Sequence, residues 1–448
     1  MAKKPAADVR RIERHWGILC ERIGNRYAGT DGERAAADYV GSQLDAMGMA
    51  NVGQFCFTFP GWDFSRCRLS VGRGRKVRRI RTAWPMEYSV GTGRGGVGGQ
   101  IVYIQGGSAL DLSQDLRGKV GLLIGSLSLG DPVTKQRIID SGMAALITVD
   151  ARVPFDWRIP IGAAPQWTEG YTVPTVCVPY MEAVRIVRDL PMSAKLDVAT
   201  RAFPAESQVV IGEVMGTKRP EQVVTVSGHH DCVRGNVGAD DNASGVVATL
   251  ELARLFARRR PKRTIRCLSF GVEERLSVGS YLHMRSLSAR ERAAIVLACN
   301  FDSVASHVGE DVGVVTGTPS LERLVRRCWE KRRHPLRIER AVNPYSDHFP
   351  LNIAGAPSVW LGRPSMMGGG HWTLHSAHDN LENVCPHVLA RTVDSAHAML
   401  GEVVTADRLP FARKIAPTLA AEVRRVARSA YHHPWSSAKF DYERFDVR

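Results

Sequence analysis

The feature of this sequence that most constrains its fold is an alternation of predicted strands and predicted helices that begins at residue 221. The predicted strands are Val223–Val226, Ile265–Phe270, Ala294–Cys299, Gly313–Val315 and Pro357–Leu361. The predicted helices are Ala243–Arg258, Gly279–Ser286, Ser320–Arg332 and Pro386–Val404. Strands that alternate with helices are typical of a largely parallel sheet with helices on its faces. We therefore predict the α/β class, with a three-layer α/β/α sandwich around a mostly parallel mixed sheet.

The chain is too long for one ordinary core, because 448 residues correspond to two or three domains at roughly 150 residues each. The alternating pattern falls within residues 201–405, the predicted main domain. Residues 1–96 are predicted to be an N-terminal α+β segment that packs on it. Residues 97–200 are predicted to be a compact, β-rich insert. The basic tail at residues 406–448 has no predicted role.

The pattern of apolar residues argues against a membrane-spanning chain. The longest apolar runs, near Val120–Ile124 and Ala293–Ala298, are far shorter than the roughly 18 residues that a membrane span requires. The basic start of the chain is not followed by the apolar stretch of a secretory signal. We therefore expect a cytoplasmic protein with no membrane partner.

The net charge of +15 raises the question of a nucleic-acid partner. Basic residues cluster at 73–81 and 258–266, but no aromatic residues interleave with them and no nucleic-acid-binding motif is present. We interpret the clusters as solvated surface charge and expect no nucleic-acid partner. A basic nucleic-acid-binding protein is retained as a competing hypothesis, which a steep loss of binding with added salt would support.

The cysteines and histidines restrict where a metal could bind. The nine cysteines are widely spaced and form no CxxC motif, so neither a disulfide framework nor a cysteine-type zinc site is expected. Of the 14 histidines, only His15 precedes residue 229. A metal site would therefore lie in the C-terminal half of the chain.

Polar side chains follow the predicted strands of that half at the points where the strands end. In chain order they are His229, Asp231, Glu273, Glu274, Asp302 and His375. Ligands of open α/β sheets bind beyond the carboxyl ends of the strands. We therefore expect these histidines and carboxylates to meet at one edge of the sheet.

Imidazole and carboxylate groups are suitable zinc ligands, and the set is large enough for a pair of divalent metals. A carboxylate can bridge two metals, and Asp241 in GADDNASG is the natural bridge. Helix capping is the alternative role for Asp241. Within the Glu273–Glu274 pair, one carboxylate can bind metal while the other acts as a base, and a solvated surface pair is the alternative.

Five segments in order resemble the co-catalytic di-zinc aminopeptidase family. They are GHHDCVRGNVGADDNASG, SFGVEERLSVGS, NFDS, YSDHFPLNIAGAP and HSAHDN. The family includes glutamate carboxypeptidase and, as divergent relatives, glutaminyl cyclase and the transferrin receptor ectodomain. The resemblance covers residues 205–405 and extends weakly over residues 8–95, through GNRYAGTDGERAAADYV. Residues 97–200 resemble the protease-associated domain that is often inserted in these chains.

The resemblance implies a role for each residue that matches a family motif. The implied zinc ligands are His229, Asp241, Glu274, Asp302 and His375, with Asp241 as the bridge. Glu273 matches the general base, which would take a proton from the water that becomes a metal-bridged hydroxide. Asp231 matches the acid that orients the imidazole of His229. Asp347 and Asp379 match supporting acids near the site.

Alternative histidines leave two of these assignments open. His230 adjoins His229, although the family pattern His-x-Asp favours His229 because Asp231 completes it. His371 and His378 compete with His375 for the last ligand position.

One position departs from the family pattern. Some members carry a tyrosine just before the last histidine ligand, where its hydroxyl helps to hold the oxyanion, whereas this chain has Leu374. Tyr345 and His378 are the candidates to replace that hydroxyl.

The resemblance implies a zinc-dependent exopeptidase, foremost an aminopeptidase, with two zinc ions per chain and a peptide substrate. A carboxypeptidase or a glutaminyl cyclase-like zinc enzyme is the first alternative, and cyclase chemistry needs only one zinc ion. A non-catalytic binding protein on the same scaffold is the second. The sequence leaves open the oligomeric state, the preferred N-terminal residue and the choice of zinc over cobalt or manganese.

Overall fold

The computed structural model describes residues 6–124, 129, 131–149, 156–157, 162–365 and 371–430. These residues form two compact units. The first unit holds the described residues up to Phe57 and from Glu206 onward, and the second holds those from Thr58 to Ala205.

Twelve α-helices and fourteen strands are assigned among the described residues. The helices are α1 (Val9–Trp16), α2 (Asp31–Ala46), α3 (Pro132–Asp140), α4 (Pro165–Thr168), α5 (Tyr180–Arg188), α6 (Ala243–Ala257), α7 (Val278–Ser286), α8 (Ala289–Ala294), α9 (Pro319–Lys331), α10 (His348–Ile353), α11 (Pro386–Thr405) and α12 (Pro417–Ala430). The strands are β1 (Ala50–Arg73), β2 (Lys76–Ile80), β3 (Trp84–Pro85), β4 (Val97–Tyr103), β5 (Val120–Ile124), β6 (Ala145–Val149), β7 (Thr175–Cys177), β8 (Ser193–Val214), β9 (Arg219–His229), β10 (Arg263–Phe270), β11 (Ile295–Phe301), β12 (Val312–Thr316), β13 (Arg337–Glu339) and β14 (Ser358–Gly362). No helix in the described ranges is both long and apolar enough to cross a membrane.

A mixed sheet forms the centre of the first unit, in the order β13-β12-β14-β11-β9-β10-β8. The neighbours β14–β11, β11–β9, β9–β10 and β12–β13 are parallel, whereas β12–β14 and β10–β8 are antiparallel. The adjacent strands β14, β11, β9 and β10 all run in one direction. Their carboxyl ends therefore lie along one edge of the sheet.

Helices cover both faces of this sheet, because successive strand residues point to opposite faces. On β10, Ile265 and Cys267 belong to a core that also contains residues of α1, α2, α6, α9 and α11. Leu268 and Phe270 belong to a second core, with Met284 of α7 and Leu351 of α10. The predicted α/β class, with helices layered on a mostly parallel mixed sheet, is confirmed.

The second unit contains a smaller sheet. Strands β4, β5, β6 and β7 are parallel neighbours, and β3 pairs antiparallel with β7. The first residues of β8 pair antiparallel with β4. Helices α3, α4 and α5 accompany these strands, so this unit is α+β in its described part rather than purely β-rich.

The observed division of the chain differs from the predicted boundaries at residues 96/97 and 200/201. Residues 58–96 belong to the second unit instead of the N-terminal segment. The reason is strand pairing: β2 pairs with the end of β1, and Leu69, Val71 and Ile80 join a core with Val120 of β5. The protease-associated identity of residues 97–200 stays a prediction.

Part of the predicted tail at residues 406–448 is folded within the first unit. Phe411 belongs to the core that contains α6, and helix α12 buries Val423 and Ala427. Residues 431–448 lie outside the described residues.

Candidate metal centre

The candidate metal centre lies at the sheet edge where four parallel strands end. His229 is the last residue of β9, Asp302 follows β11 directly, and Glu273 and Glu274 form a short 3-10 turn after β10. His375 comes from the loop that follows β14, and Asp241 from the loop before α6. The parallel strands thus bring together side chains that lie far apart in the sequence, as expected for an α/β sheet.

Two overlapping groups of side chains at this edge have the composition and spacing of metal sites. One group is His229, Asp241 and Asp302, and the other is Asp241, Glu274 and His375; within each, the potential ligand atoms lie within 4.8 Å of one another. Asp241 Oδ1 is 3.2 Å from His229 Nε2, and Asp241 Oδ2 is 3.3 Å from His375 Nε2. The carboxylate that belongs to both groups therefore presents one oxygen to each histidine.

The orientation of His229 suits a metal ligand. Its Nδ1 lies 3.1 Å from the backbone carbonyl oxygen of Asp231. A carbonyl oxygen only accepts hydrogen bonds, so Nδ1 carries a proton and Nε2 is the atom that faces the carboxylates. This is the arrangement typical of metal-binding histidines, whose second nitrogen donates to a carbonyl or a carboxylate.

Both imidazoles are surrounded by carboxylates, which favour positive charge at this edge. Burial opposes the charged form of His229, yet Glu273, Asp231, Asp241 and Asp302 raise its pKa well above the usual value. His375 is affected in the same way: burial lowers its pKa, but Glu274 and Asp241 raise it well above the usual value. A divalent cation at the same place would be stabilised by the same carboxylates.

The carboxyl of Glu273 lies beside the first group without belonging to it. Its Oε2 is 3.7 Å from His229 Nε2, and its Oε1 accepts a hydrogen bond from Ser277 Oγ at 3.1 Å. Burial raises the pKa of Glu273 well above the usual value, against the opposing effect of His229. Burial also raises the pKa of Glu274, to about 7. Such shifts are typical of carboxyls that exchange protons near neutral pH.

Asp231 holds the two glutamates in place. Its fully buried carboxylate accepts hydrogen bonds from the backbone N–H groups of Glu273 (3.0 Å) and Glu274 (3.2 Å). The turn is strained, because Val272 and Leu276 on either side adopt left-handed backbone angles (φ 59° and 67°) that non-glycine residues disfavour. Strain of this kind concentrates at functional sites.

The loop that carries Asp241 is fixed by a second buried carboxylate, that of Asp379. Its two oxygens accept from the backbone N–H groups of Asp240 (2.7 Å) and Asp241 (3.0 Å). Asn242, rather than Asp241, caps helix α6, because Asn242 Oδ1 accepts from Gly245 N at 2.8 Å. The alternative role of Asp241 as a helix cap is therefore wrong.

Ser346 is a site residue that the sequence analysis missed. Its hydroxyl donates to Asp302 Oδ2 at 2.5 Å and accepts from Asn300 Nδ2 at 2.7 Å, so it orients that carboxylate. The available signal was its place beside Asp347 in the segment YSDHFPLNIAGAP. Asp347 is itself fully buried, and burial raises its pKa to about 8.

The structure separates the competing candidates from the two groups. His230 is buried below the site, with Nδ1 3.0 Å from Ser269 Oγ. His371 Nδ1 lies 3.8 Å from Asp240 Oδ2. Among the described residues, neither His371 nor His378 belongs to a group with the composition and spacing of a metal site. Tyr345 is 69% exposed. Its proposed help to the oxyanion, and that of His378, stays a prediction, as does the consequence of Leu374.

The chain has relatives that match both its sequence and its fold. Residues 209–400 match the model of peptidase family M28. The main domain of this chain is therefore similar to peptidase family M28. All five residues of the two metal-type groups lie within the matched range.

Individual relatives extend the likeness beyond that domain. The chain is 24% identical to aminopeptidase YwaD of Bacillus subtilis over 407 residues, which is 88% of this chain and 84% of that protein. It is 23% identical to carboxypeptidase Q of Mus musculus over 278 residues, 59% of each chain. It spans less than half the length of some other curated relatives. Among solved structures it resembles BSAP, a zinc aminopeptidase from Bacillus subtilis, with a TM-score of 0.72, 21% identity and coverage of 93% of this chain and 100% of that one.

Proposed function

We propose that this protein is a zinc-dependent aminopeptidase that removes N-terminal residues from peptides. The observation that carries the proposal is the pair of ligand groups that share Asp241 at the carboxyl edge of the sheet. The names of YwaD, an aminopeptidase, and of BSAP, a zinc aminopeptidase, support the same activity and the same metal.

We infer that two zinc ions bind per chain. The donor set fits them, because each group offers one imidazole nitrogen and carboxylate oxygens, which are ordinary zinc ligands. Two buried atoms at the site, His229 Nε2 and Glu274 Oε1, form no hydrogen bond within the described residues. His229 and Asp302 would hold one ion, Glu274 and His375 the other, and Asp241 both.

The residues around those ions have different roles in the reaction. When bound, the zinc ions supply Lewis acids that polarise the scissile carbonyl and activate water. Glu273 accepts the proton of the attacking water and passes it to the leaving amine. The hydroxyl of Ser277 holds Glu273 Oε1 in place, and Asp231 fixes the backbone of the glutamate.

The charge of the site favours an N-terminal amine over a C-terminal carboxylate. Asp231, Asp241, Glu273, Glu274 and Asp302 are all carboxyl groups at or beside the two metal-type groups. In their ionised form, as they would be beside two zinc ions, these carboxylates carry one negative charge more than the ions neutralise. An ammonium group is therefore stabilised there, which supports an aminopeptidase.

A panel of chromogenic aminoacyl substrates, each with a free and a blocked amino group, tests the proposal. We expect cleavage of the unblocked substrates only, loss of that cleavage with chelator, and its return with added zinc. Metal analysis of the active protein should give two zinc ions per chain. Cleavage that persists in chelator after the metal has been shown to be removed would contradict the zinc mechanism.

A carboxypeptidase is the second candidate, because carboxypeptidase Q is among the relatives. It would release the C-terminal residue from N-blocked peptides and spare peptides with an amidated C-terminus. The same assay, extended to these two peptide types, separates the two candidates.

A further inference from the structure

The loop between His229 and Asp241, residues 230–239, is held by side chains from outside the matched range 209–400. We call residues 230–239 the ligand loop, because it connects His229 to the segment that carries Asp241. Arg26 is fully buried, and its guanidinium donates to three carbonyl oxygens of the ligand loop. Nε donates to His230 O (2.7 Å), Nη1 to Val237 O (2.6 Å) and Nη2 to Gly238 O (3.0 Å).

The same guanidinium ties the ligand loop to the N-terminal segment. Nη1 of Arg26 also lies 3.2 Å from both Leu19 O and Gly24 O. One planar group therefore spans carbonyls at the beginning and at the end of the ligand loop and carbonyls of its own segment. Lysine offers three donors from a single nitrogen and cannot reproduce that planar arrangement.

Two further residues of the N-terminal segment, Asn25 and Trp16, hold the rest of the ligand loop. Asn25 Nδ2 donates to Val233 O (2.8 Å) and to Asn236 O (2.7 Å). Trp16 Nε1 donates to Ala239 O at 3.1 Å. The N-terminal segment thus satisfies carbonyls along the whole ligand loop, from its first residue to its last.

We propose that Arg26 is a positioning residue of the metal centre, and that the N-terminal segment completes the centre by fixing the ligand loop. The proposal rests on the metal site of the proposed function. His229 and Asp241 belong to one ligand group, so a displaced ligand loop changes the distance between their ligand atoms. Groups that orient metal ligands contribute about 10–100-fold to metal affinity.

The full-length R26K variant tests this, with R263K as its matched control. Arg263 is equally buried and also donates to carbonyl oxygens, those of Val403 (2.8 Å) and Ala406 (2.6 Å). It is the first residue of β10, at the strand end opposite Glu273. The measurements are the zinc dissociation constant, by competition with a chromophoric chelator, the melting temperature, and kcat and KM at limiting and at excess zinc.

We expect R26K to bind zinc at least about 10-fold more weakly than wild type and to regain kcat in excess zinc. R263K should have a lower melting temperature than wild type and the same zinc affinity. If R26K shows no cooperative unfolding transition, N25A replaces it, with weaker zinc binding expected. Wild-type zinc affinity in folded R26K or N25A overturns the proposal, as does an equal loss of affinity in R263K. A wild-type protein that binds no zinc would instead refute the proposed function.

Discussion

At the scale of single residues, Glu273 is the group on which proton transfer depends. The E273Q substitution removes the base while keeping the size of the side chain and the backbone bond to Asp231. General bases contribute about 10²–10⁴-fold, so kcat should fall by at least about 100-fold while zinc content stays at the wild-type level. Steady-state kinetics and metal analysis check this.

The matched control for E273Q is E310Q. Glu310 pairs with Arg337 at 2.7 Å and is 61% exposed in its side chain, so its neutralisation should leave kcat unchanged. Wild-type turnover in E273Q would refute the assignment of the base.

Asp311 provides a residue-scale prediction about pH and stability. Its buried carboxylate accepts hydrogen bonds from His334 Nε2 (2.6 Å), Arg363 Nη1 (2.6 Å) and Arg391 Nη2 (3.1 Å). Burial raises the pKa of this carboxyl, but His334 and Arg363 outweigh burial and lower it below the usual value. The carboxylate therefore contributes its full stabilisation above the pKa that Asp311 has in the unfolded chain. That stabilisation is lost as the pH falls through the lower pKa that Asp311 has in the folded protein.

The D311N variant should accordingly be less stable than wild type at pH 7, on the order of 3 kcal/mol. The difference in the free energy of unfolding should shrink below about pH 4. Denaturant unfolding of both proteins between pH 7 and pH 3 measures it. D115N is the control, since Asp115 is 78% exposed in its side chain and its neutralisation should leave stability at the wild-type level. A pH-independent difference between D311N and wild type would refute the interpretation.

At the scale of elements, the start of helix α6 is packed too closely for any side chain larger than hydrogen. A Cβ atom on Gly245 would collide with the carbonyl oxygen of Phe301 and lie 2.5 Å from Asn242 Oδ1. Phe301 is adjacent in sequence to Asp302, and Asn242 to Asp241. G245A should therefore destabilise the protein by about 1–3 kcal/mol and lower zinc affinity, as measured by thermal unfolding and chelator competition.

Gly41 in helix α2 is the contrasting position. The nearest atom to a Cβ there is Val210 Cγ1 at 3.7 Å, an ordinary contact. G41A should raise stability by about 0.5–1 kcal/mol, because alanine loses less backbone entropy than glycine in a helix. If G41A and G245A have the same effect, steric crowding at α6 is not the cause.

The predicted elements of the main domain were recovered because their apolar periodicity reports burial directly. The strand predicted at Ile265–Phe270 lies inside β10, and the helix predicted at Ala243–Arg258 is α6 with one residue fewer. The division of the chain was harder to predict. Residues 58–96 join the second unit through pairing with distant strands, which local periodicity does not encode.

At the scale of the whole molecule, zinc and stability should be coupled. The two ligand groups are drawn from segments between His229 and His375, so bound metal links parts of the chain that separate on unfolding. Metal at 100 times its dissociation constant adds about 2.7 kcal/mol to the free energy of unfolding. Chelator should lower the melting temperature by several degrees, and added zinc should restore it. An identical melting temperature in demonstrably metal-free protein would contradict this coupling.

The sequence by itself determined the fold class, because strand periodicity is a local feature, and it showed that histidines and acids follow the strand ends. The assignment of individual metal ligands came from the resemblance to the di-zinc aminopeptidase family. The five ligands that the resemblance implies are His229, Asp241, Glu274, Asp302 and His375, and the structure brings their side chains together at one edge of the sheet. Only the tertiary structure decided which groups hold those side chains in place. Ser346 on Asp302 and Arg26 beneath the ligand loop are contacts between segments far apart in the chain. No spacing in the sequence reports such contacts, since packing alone creates them.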